Sequence, residues 1–206
     1  ASLDYAHGNS IDKDSLGNYY ISLRHTNCIY KIDTNGQIVW RLGGKLSNFT
    51  FANDSGFSGQ HDARIMPNGN ITLFDNTNTS TIKKSRGIEY QLDTNTWVAT
   101  KIKEIIYTDS IYASAMGGYF TSATKERTLS YGLVYRPSPS MLHYDSNLNL
   151  VSELFLRDSI VSYRAFYYEN NLMSFLPPQP IINCFDTTVL AKKLIAPSGY
   201  NQYKWS

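Results

Sequence analysis

Histidine side chains at matched places along the chain are the first candidates for chemistry. His7 and His61 each open a strand-like run, ten and eight residues ahead of a glycine turn. His25 ends the next strand-like run after His7 and follows Arg24 directly. A strand hairpin brings the end of its second strand back beside the start of its first. We therefore expect His25 at the same end of the strands as the other two histidines.

Three imidazoles beside an arginine suit the transfer of a sulfuryl or phosphoryl group. Neutral imidazole is a nucleophile near pH 7, and imidazolium is a general acid. Arg24 and a second histidine can hold a tetrahedral oxyanion such as sulfate. The same three imidazoles would also suit zinc, so a metal site is an open alternative, although no His-x-His pair is present.

Other charged positions have structural interpretations. The fourth histidine, His143, lies beside a turn and is interpreted as part of the scaffold. Arg24 could pair with Asp12 or Asp62, and Arg41 could simply cover the tryptophan before it.

A recurring turn shows which elements position these residues. The turn has the form Asp-Thr-Asn or Asp-Ser-Asn, its copies lie 60 and 52 residues apart, and each copy separates two apolar or aromatic runs. This pattern predicts a hairpin with an Asx turn, and a second hairpin precedes each one. The copies are Asp33-Thr34-Asn35, Asp93-Thr94-Asn95 and Asp145-Ser146-Asn147.

Four short strands in each unit, with no helical period, predict an all-β fold: a β-propeller of four-stranded blades. Three blades are expected at about 7–50, 61–108 and 114–160, with part of a fourth from Tyr163, so the ring is incomplete and upstream blades are expected. In the third blade, Ser114 is the expected counterpart of the histidines. A tandem of immunoglobulin-like domains is the alternative, but its units run nearer 100 residues.

The composition changes near the end of the chain. A proline-rich stretch follows the blades, so we assign 1–176 to the propeller and 177–206 to a linker and the start of an immunoglobulin-like module. Cys28 and Cys184 are the two cysteines. Two free thiols and a mutual disulfide are both open.

The bulk composition excludes some function classes. The formal net charge of the 206 residues is only +2, and the charges are well mixed, which argues against a nucleic-acid partner. No apolar run approaches the roughly 20 residues of a membrane span, and no signal peptide is visible. No oligomeric state follows from the sequence.

An ordered series of motifs over about residues 4–170 resembles the arylsulfotransferase family. Each motif alone is weak, but their order is specific. The motifs are Asp4 to Asp12, Ser22 to Thr26 with Tyr30 to Asp33, Ile38 to Gly44, Ser58 to Arg64 with Leu73 to Asn76, Ser85 to Gly87, Met116 to Gly118 and Tyr163 to Phe166.

The resemblance implies a ping-pong transfer of a sulfuryl group from a phenolic sulfate donor to a phenolic acceptor, without a nucleotide sulfate donor, a metal or another cofactor. By motif position, His61 would be the transiently sulfurylated nucleophile. His7 and His25 would bind the sulfuryl oxygens or move the phenol proton. The further candidates for substrate binding are Asn9, Arg24, Arg41 and, from its place at the start of a blade, Arg164.

The resemblance also implies a protein that acts outside the cytoplasm: secreted, periplasmic or at the cell surface. The alternative function is a non-catalytic propeller that presents loops for binding or adhesion on a multidomain surface protein. The two hypotheses differ in the site, because an enzyme requires the histidines to gather beside Arg24 and a scaffold does not.

Overall fold

The computed structural model describes residues 4–108, 111–134, 138–157 and 160–167. Every regular element in these ranges is a β-strand. The predicted all-β class is therefore confirmed. Within the described ranges, no helix is long and apolar enough to span a membrane.

The first sheet is a four-stranded antiparallel meander with the strand order β1-β2-β3-β4. The turn between its first two strands contains Gly17 at φ 90°, a left-handed conformation that suits glycine. On β2, Tyr20 and Ser22 are buried and their neighbours less so, as expected for a strand with one covered face. The strands are β1 (Gly8–Lys13), β2 (Tyr19–Leu23), β3 (Cys28–Ile32) and β4 (Ile38–Gly43).

The second sheet has five strands in the order β5-β9-β8-β7-β6. Four of them form the predicted antiparallel unit, and β5 adds to its edge by pairing parallel to β9, which the sequence did not predict. All five residues of β7 are buried, so this strand lies at the centre of the described fold. The strands are β5 (Thr50–Ala52), β6 (His61–Ile65), β7 (Ile71–Asp75), β8 (Arg86–Asp93) and β9 (Val98–Ile105).

The third sheet has the order β11-β12-β14-β15, and a short ribbon pairs β10 with β13. The expectation that Ser114 is the counterpart of His61 is wrong, because Ser114 lies in the ribbon and the inner strand of the third sheet begins at Gly118. Left-handed backbone at Met116 and Gly117 separates the two strands. The elements are β10 (Ala113–Ala115), β11 (Gly118–Thr121), β12 (Arg127–Ser130), β13 (Leu133–Val134), β14 (Met141–Tyr144) and β15 (Leu150–Leu154).

The three Asx turns form as predicted. The Oδ1 atom of Asp33 accepts hydrogen bonds from the amides of Asn35 at 2.9 Å and Gln37 at 2.8 Å. Asp93 and Asp145 accept the equivalent bond from the amide two residues on, at 2.8 and 2.9 Å. Each carboxylate therefore closes its turn locally, and the flanking strands are held in register.

Two apolar clusters hold the three sheets together. The first joins the first two sheets through residues such as Trp40 and Tyr90, and the second joins the second and third sheets through residues such as Phe74 and Tyr119. The strands β1, β6 and β11, each at one edge of its sheet, are called the inner strands. Of these, β1 and β6 are also joined, because Ser10 Oγ accepts the Ala63 amide at 3.0 Å. The starts of β1, β6 and β11 consequently lie near one another.

Some predictions fall at or beyond the limits of the described residues. No strand forms over 160–167, where the fourth blade was expected to begin, and the Tyr163 carbonyl instead accepts a hydrogen bond from the Gly117 amide at 2.8 Å. The segment 177–206 and Cys184 lie outside the described residues. The described sheets form no closed ring, so the propeller and its number of blades stay predictions.

Candidate functional site

His61 is the first residue of β6, and the structure buries it almost completely, with 2% of its surface exposed. Its Nδ1 atom lies 2.8 Å from Asn76 Oδ1 and 3.0 Å from the Gly59 carbonyl oxygen. Both partners are acceptors, since the Asn76 amide nitrogen donates elsewhere, to the carbonyls of Ala113 and Met116. The proton of neutral His61 is therefore held on Nδ1, and Nε2 carries the lone pair.

The lone pair of His61 faces the segment that follows β10. The Met116 amide donates a hydrogen bond to His61 Nε2 at 3.2 Å, which is at the long end of the usual range. Met116 has a left-handed φ of 63°, which a non-glycine residue adopts only at a cost. The hydrogen bond to Nε2 is thus long, and its donor belongs to a residue with a strained backbone conformation.

Burial is the main cause that lowers the pKa of His61 below its ordinary value. The hydrogen bonds to Asn76 and Gly59 oppose this shift, and the positive charges of Arg24 and His7 add to it. Because its pKa is lowered, His61 is a neutral imidazole at neutral pH and needs no deprotonation to act as a nucleophile.

Arg24 approaches His61 through the same short segment. The residue directly follows β2, and its Nη2 donates to the Ser114 carbonyl at 3.0 Å, two residues before the Met116 amide. Its Nε–H is buried and has no hydrogen-bond partner among the described residues. A buried donor without a partner costs free energy, and it is the type of group that an oxyanion would satisfy.

His7 and His25 form a second, exposed group around Asp4. The His7 Nδ1 atom lies 2.5 Å from Asp4 Oδ2, and the His25 Nδ1 atom lies 2.6 Å from the Asp4 carbonyl oxygen. The two imidazole centroids are 4.8 Å apart. The hydrogen bond from His7 is the main cause that lowers the pKa of Asp4, so the carboxylate is ionised at neutral pH.

Asn9, on β1, and Arg164, in the segment 160–167, both donate to groups of the protein. Asn9 donates its side-chain amide to the Gln60 carbonyl at 2.6 Å, and its Oδ1 is buried without a partner among the described residues. Arg164 donates to Asp62 Oδ1 at 2.8 Å and to the Asn9 carbonyl at 3.0 Å. The Asn9 side chain therefore keeps a free acceptor, whereas two donors of Arg164 are already used.

Arg41 lies on the wall of a cavity of about 830 Å³ that Asp4 and His25 also line. Its guanidinium carbon is 5.8 Å from the centre of the Tyr30 ring, directly across the β3–β4 ladder. This contact agrees with the interpretation of Arg41 as a cation over an aromatic ring, except that the ring belongs to Tyr30 rather than to the preceding tryptophan.

The structure thus divides the three predicted histidines into two neighbouring groups. His61 and Arg24 meet at the 114–116 segment, whereas His7 and His25 meet at Asp4. The groups still share one region of the fold, because the Arg24 amide donates to the His7 carbonyl at 2.9 Å and Arg24 directly precedes His25. Asp4, Asn76 and the Met116 amide also belong to the two groups, and none of them was predicted from the sequence.

A signal for Asn76 was present in the sequence. His61 pairs with Phe74 across the β6–β7 hairpin, so a polar residue two positions after Phe74 lies beside the start of β6. No sequence signal identified the Met116 amide, since any non-proline residue supplies the same donor.

One of the comparisons with known proteins agrees with the resemblance. The family model for arylsulfotransferase (ASST) matches residues 1–155, about three quarters of the chain. No curated protein matches the chain. A Bacteroides caccae crystal structure, described as a protein of unknown function, is similar with 16% identity and a TM-score of 0.48. The match covers 75% of this chain and 52% of that one, so this chain spans about half its length. By the match over residues 1–155, the chain belongs to the arylsulfotransferase family.

Proposed function

We propose that the protein transfers a sulfuryl group from an aryl sulfate to a phenol by way of a sulfurylated His61. One observation carries the mechanism: His61 is buried with its proton held on Nδ1, which leaves the Nε2 lone pair for attack. Membership of the arylsulfotransferase family supports the choice of sulfuryl over other groups.

In the first half-reaction, the Nε2 lone pair attacks sulfur, and the bond between sulfur and the aryl oxygen breaks. The electron pair of that bond leaves with the phenolate. The sulfurylated imidazole keeps its Nδ1–H and gains positive charge, which the oxygens of Asn76 and Gly59 stabilise because both accept that proton's hydrogen bond. The Met116 amide must give up Nε2 during the attack, and it is then free to donate to a sulfuryl oxygen.

Arg24 is the proposed holder of the sulfuryl oxygens. Its buried Nε–H has no partner among the described residues, and its other end is fixed on the Ser114 carbonyl. A guanidinium fixed in this way is preorganised for a charge that becomes larger in the transition state.

His7 and His25 are the proposed proton carriers. Each donates its Nδ1–H to Asp4, so Nε2 remains the atom that can give a proton to the leaving phenolate. In the second half-reaction the acceptor phenol gives its proton to the same imidazole, its oxygen attacks sulfur, and the bond from sulfur to His61 breaks. Aryl sulfates and phenols are the proposed partners, outside the cytoplasm.

The proposal is tested in the protein as its gene encodes it, with an aryl sulfate donor and a phenol acceptor. We expect phenolate release that requires the acceptor, and loss of that release in His61→Ala. The matched control is His143→Ala, because His143 is also a buried histidine, 5% exposed, but lies on β14 and contacts Thr128. Release that survives in His61→Ala, or that disappears equally in the control, would contradict the proposal.

Detection of the sulfurylated intermediate distinguishes loss of the nucleophile from poor folding of the His61→Ala variant. The donor alone should leave one SO₃ group on the peptide that contains His61, and the acceptor should remove it. Imidazole in solution should partly restore transfer to His61→Ala if the side chain acts as the nucleophile. If a well-folded protein gives no release with any of several donors, the non-catalytic binding propeller is the better account.

A further inference from the structure

The exposed group of Asp4, His7 and His25 brings two imidazoles and one carboxylate together. One ligand atom from each residue can be chosen so that all three lie within 4.8 Å of one another. Both imidazoles direct Nδ1 at the same aspartate, at 2.5 Å to its carboxylate and 2.6 Å to its carbonyl. Two nitrogens and one carboxylate oxygen therefore converge on one small volume.

The main chain holds this convergence in place. The Arg24 amide donates to the His7 carbonyl at 2.9 Å, and the His25 amide donates to the Ala6 carbonyl at 3.2 Å. The two histidines, 18 residues apart in sequence, are thus fixed side by side by backbone hydrogen bonds. His7 has a left-handed φ of 53°, a strained conformation at a residue whose ring is part of the group.

The ligand set is one that divalent transition metals prefer. Two imidazoles and a carboxylate bind Zn²⁺, and ligand atoms at about 2.0–2.1 Å from the ion lie roughly 3.4 Å from one another in a tetrahedron. The contact from His7 to Asp4 must lengthen by about 1 Å and the separation of 3.9 Å from His25 Nδ1 to Asp4 Oδ2 must shorten slightly. All three side chains are at least one third exposed, so these adjustments meet little packing resistance.

His61 does not belong to this set of ligands. Its Nδ1 donates to Asn76 and Gly59, and its Nε2 accepts from Met116, so both nitrogens are engaged within the protein. A zinc site built from the three histidines would have to break these bonds in a buried place. The aspartate takes the third position at much lower cost.

We propose that Asp4, His7 and His25 bind a divalent transition-metal ion, with Zn²⁺ as the ion that the ligand set fits best. The three protein ligands leave at least one coordination position open to water or to an oxyanion. A bound metal would replace the hydrogen bonds from His7 and His25 to Asp4, so a metal-loaded group could not carry the phenol proton as proposed above. Binding of the metal itself requires no chemistry at His61.

The test is a titration of the tag-free protein with Zn²⁺ by calorimetry, and with Co²⁺ by visible absorption, which reports the number and type of ligands. We expect one equivalent of metal to bind. Asp4→Asn, His7→Asn and His25→Asn should each weaken binding by at least about tenfold, a minimum set by the effect of losing even a supporting residue around a metal. His143→Asn and His61→Asn should bind as the wild type does.

Each outcome decides the proposal. Absence of saturable binding in the folded wild type would overturn it, and so would binding that survives all three ligand variants. Binding that is lost in His61→Asn but kept in Asp4→Asn would favour a three-histidine site and would also overturn it. The circular dichroism spectrum and thermal midpoint of each variant show that lost binding does not reflect lost fold, and none of these readouts depends on catalysis.

Discussion

The buried His61 and the exposed pair of His7 and His25 are built in different ways. His61 has both nitrogens assigned to fixed partners from three separate stretches of chain. The exposed pair shares one partner, Asp4, and the side chains of His7 and His25 are 45% and 33% exposed. Long-range packing therefore fixes the protonation state of one imidazole, whereas short-range contacts only orient the other two.

This difference predicts at which residues a substitution should change both activity and stability. A group that depends on the packed core cannot be changed without cost to the fold, while an exposed group can be changed almost freely. Substitutions around His61 should therefore affect both properties, and substitutions around Asp4 should affect function alone.

The largest effect is expected for Asn76→Ala. The variant removes one of the two acceptors that hold the His61 proton on Nδ1, and it takes away the Asn76 donor to the carbonyls of Ala113 and Met116. We expect sulfuryl transfer to fall by up to about 10⁴-fold, the effect of losing the residue that sets a catalytic tautomer. The free energy of unfolding should fall by roughly 2 kcal/mol, measured by denaturant titration.

Asn78→Ala is the matched control for this prediction. Asn78 lies on the same stretch after β7 and donates to the Ser114 carbonyl at 3.1 Å, but it has no bond to His61. A similar loss of activity in both variants would show that packing of the 114–116 segment matters rather than the tautomer of His61.

A second, smaller effect is expected for Arg24→Met. The variant removes the buried Nε–H that has no protein partner, along with the bond to the Ser114 carbonyl. We expect the turnover rate to fall by about 10²-fold, as for loss of one oxyanion donor. Arg164→Met is the comparison, since its guanidinium donates to Asp62 and Asn9 within the protein. If the turnover rate falls more in Arg164→Met than in Arg24→Met, the roles assigned to the two arginines are reversed.

Much of this fold was predictable because its signals are local. Asp33, Asp93 and Asp145 each close a turn with their own side chain, so the sequence alone identifies the hairpins. The ribbon of β10 and β13 was not predictable, because strands of two and three residues contain too little alternation to be recognised. The parallel pairing of β5 depends on tertiary packing, to which no sequence pattern points.

The sequence identified the histidines and Arg24 of the site, but it did not predict that His61 lies apart from His7 and His25. The positions of His61 and His7 ahead of their turns predicted strand starts, and the structure has His61 as the first residue of β6 and His7 directly before β1. Their separation into a buried and an exposed group depends on Asn76 and Met116, which reach His61 from 15 and 55 residues away. Contacts at such separations require the register of whole sheets, which a single sequence does not provide.

The third prediction concerns the pH dependence of stability, which should come from buried His61. The pKa of His61 is lowered by burial, so the unfolded chain binds a proton near the ordinary histidine pKa of about 6.5 while the folded protein does not. Stability contributed by neutral His61 is therefore complete above about pH 6.5 and declines as the pH falls below it. The slope from this one proton is at most about 1.4 kcal/mol per pH unit.

The measurement compares the wild type with His61→Gln between pH 7 and pH 5. We expect the difference in their unfolding free energies to shrink as the solution is acidified. A constant difference over this range would mean that His61 titrates with an ordinary pKa in the folded protein. The acidic limb of the transfer rate should likewise lie below the ordinary histidine pKa.

The smallest effect on the fold is expected for Asp4→Asn. Asp4 is exposed and its carboxylate only orients His7, so the thermal midpoint should not change measurably. The asparagine can still accept the His7 hydrogen bond, but the bond no longer has the support of a negative charge. The transfer rate should therefore fall, though by less than in Arg24→Met, if His7 carries the phenol proton. An unchanged transfer rate would remove His7 from proton transfer and leave it as a neighbour of His61 alone.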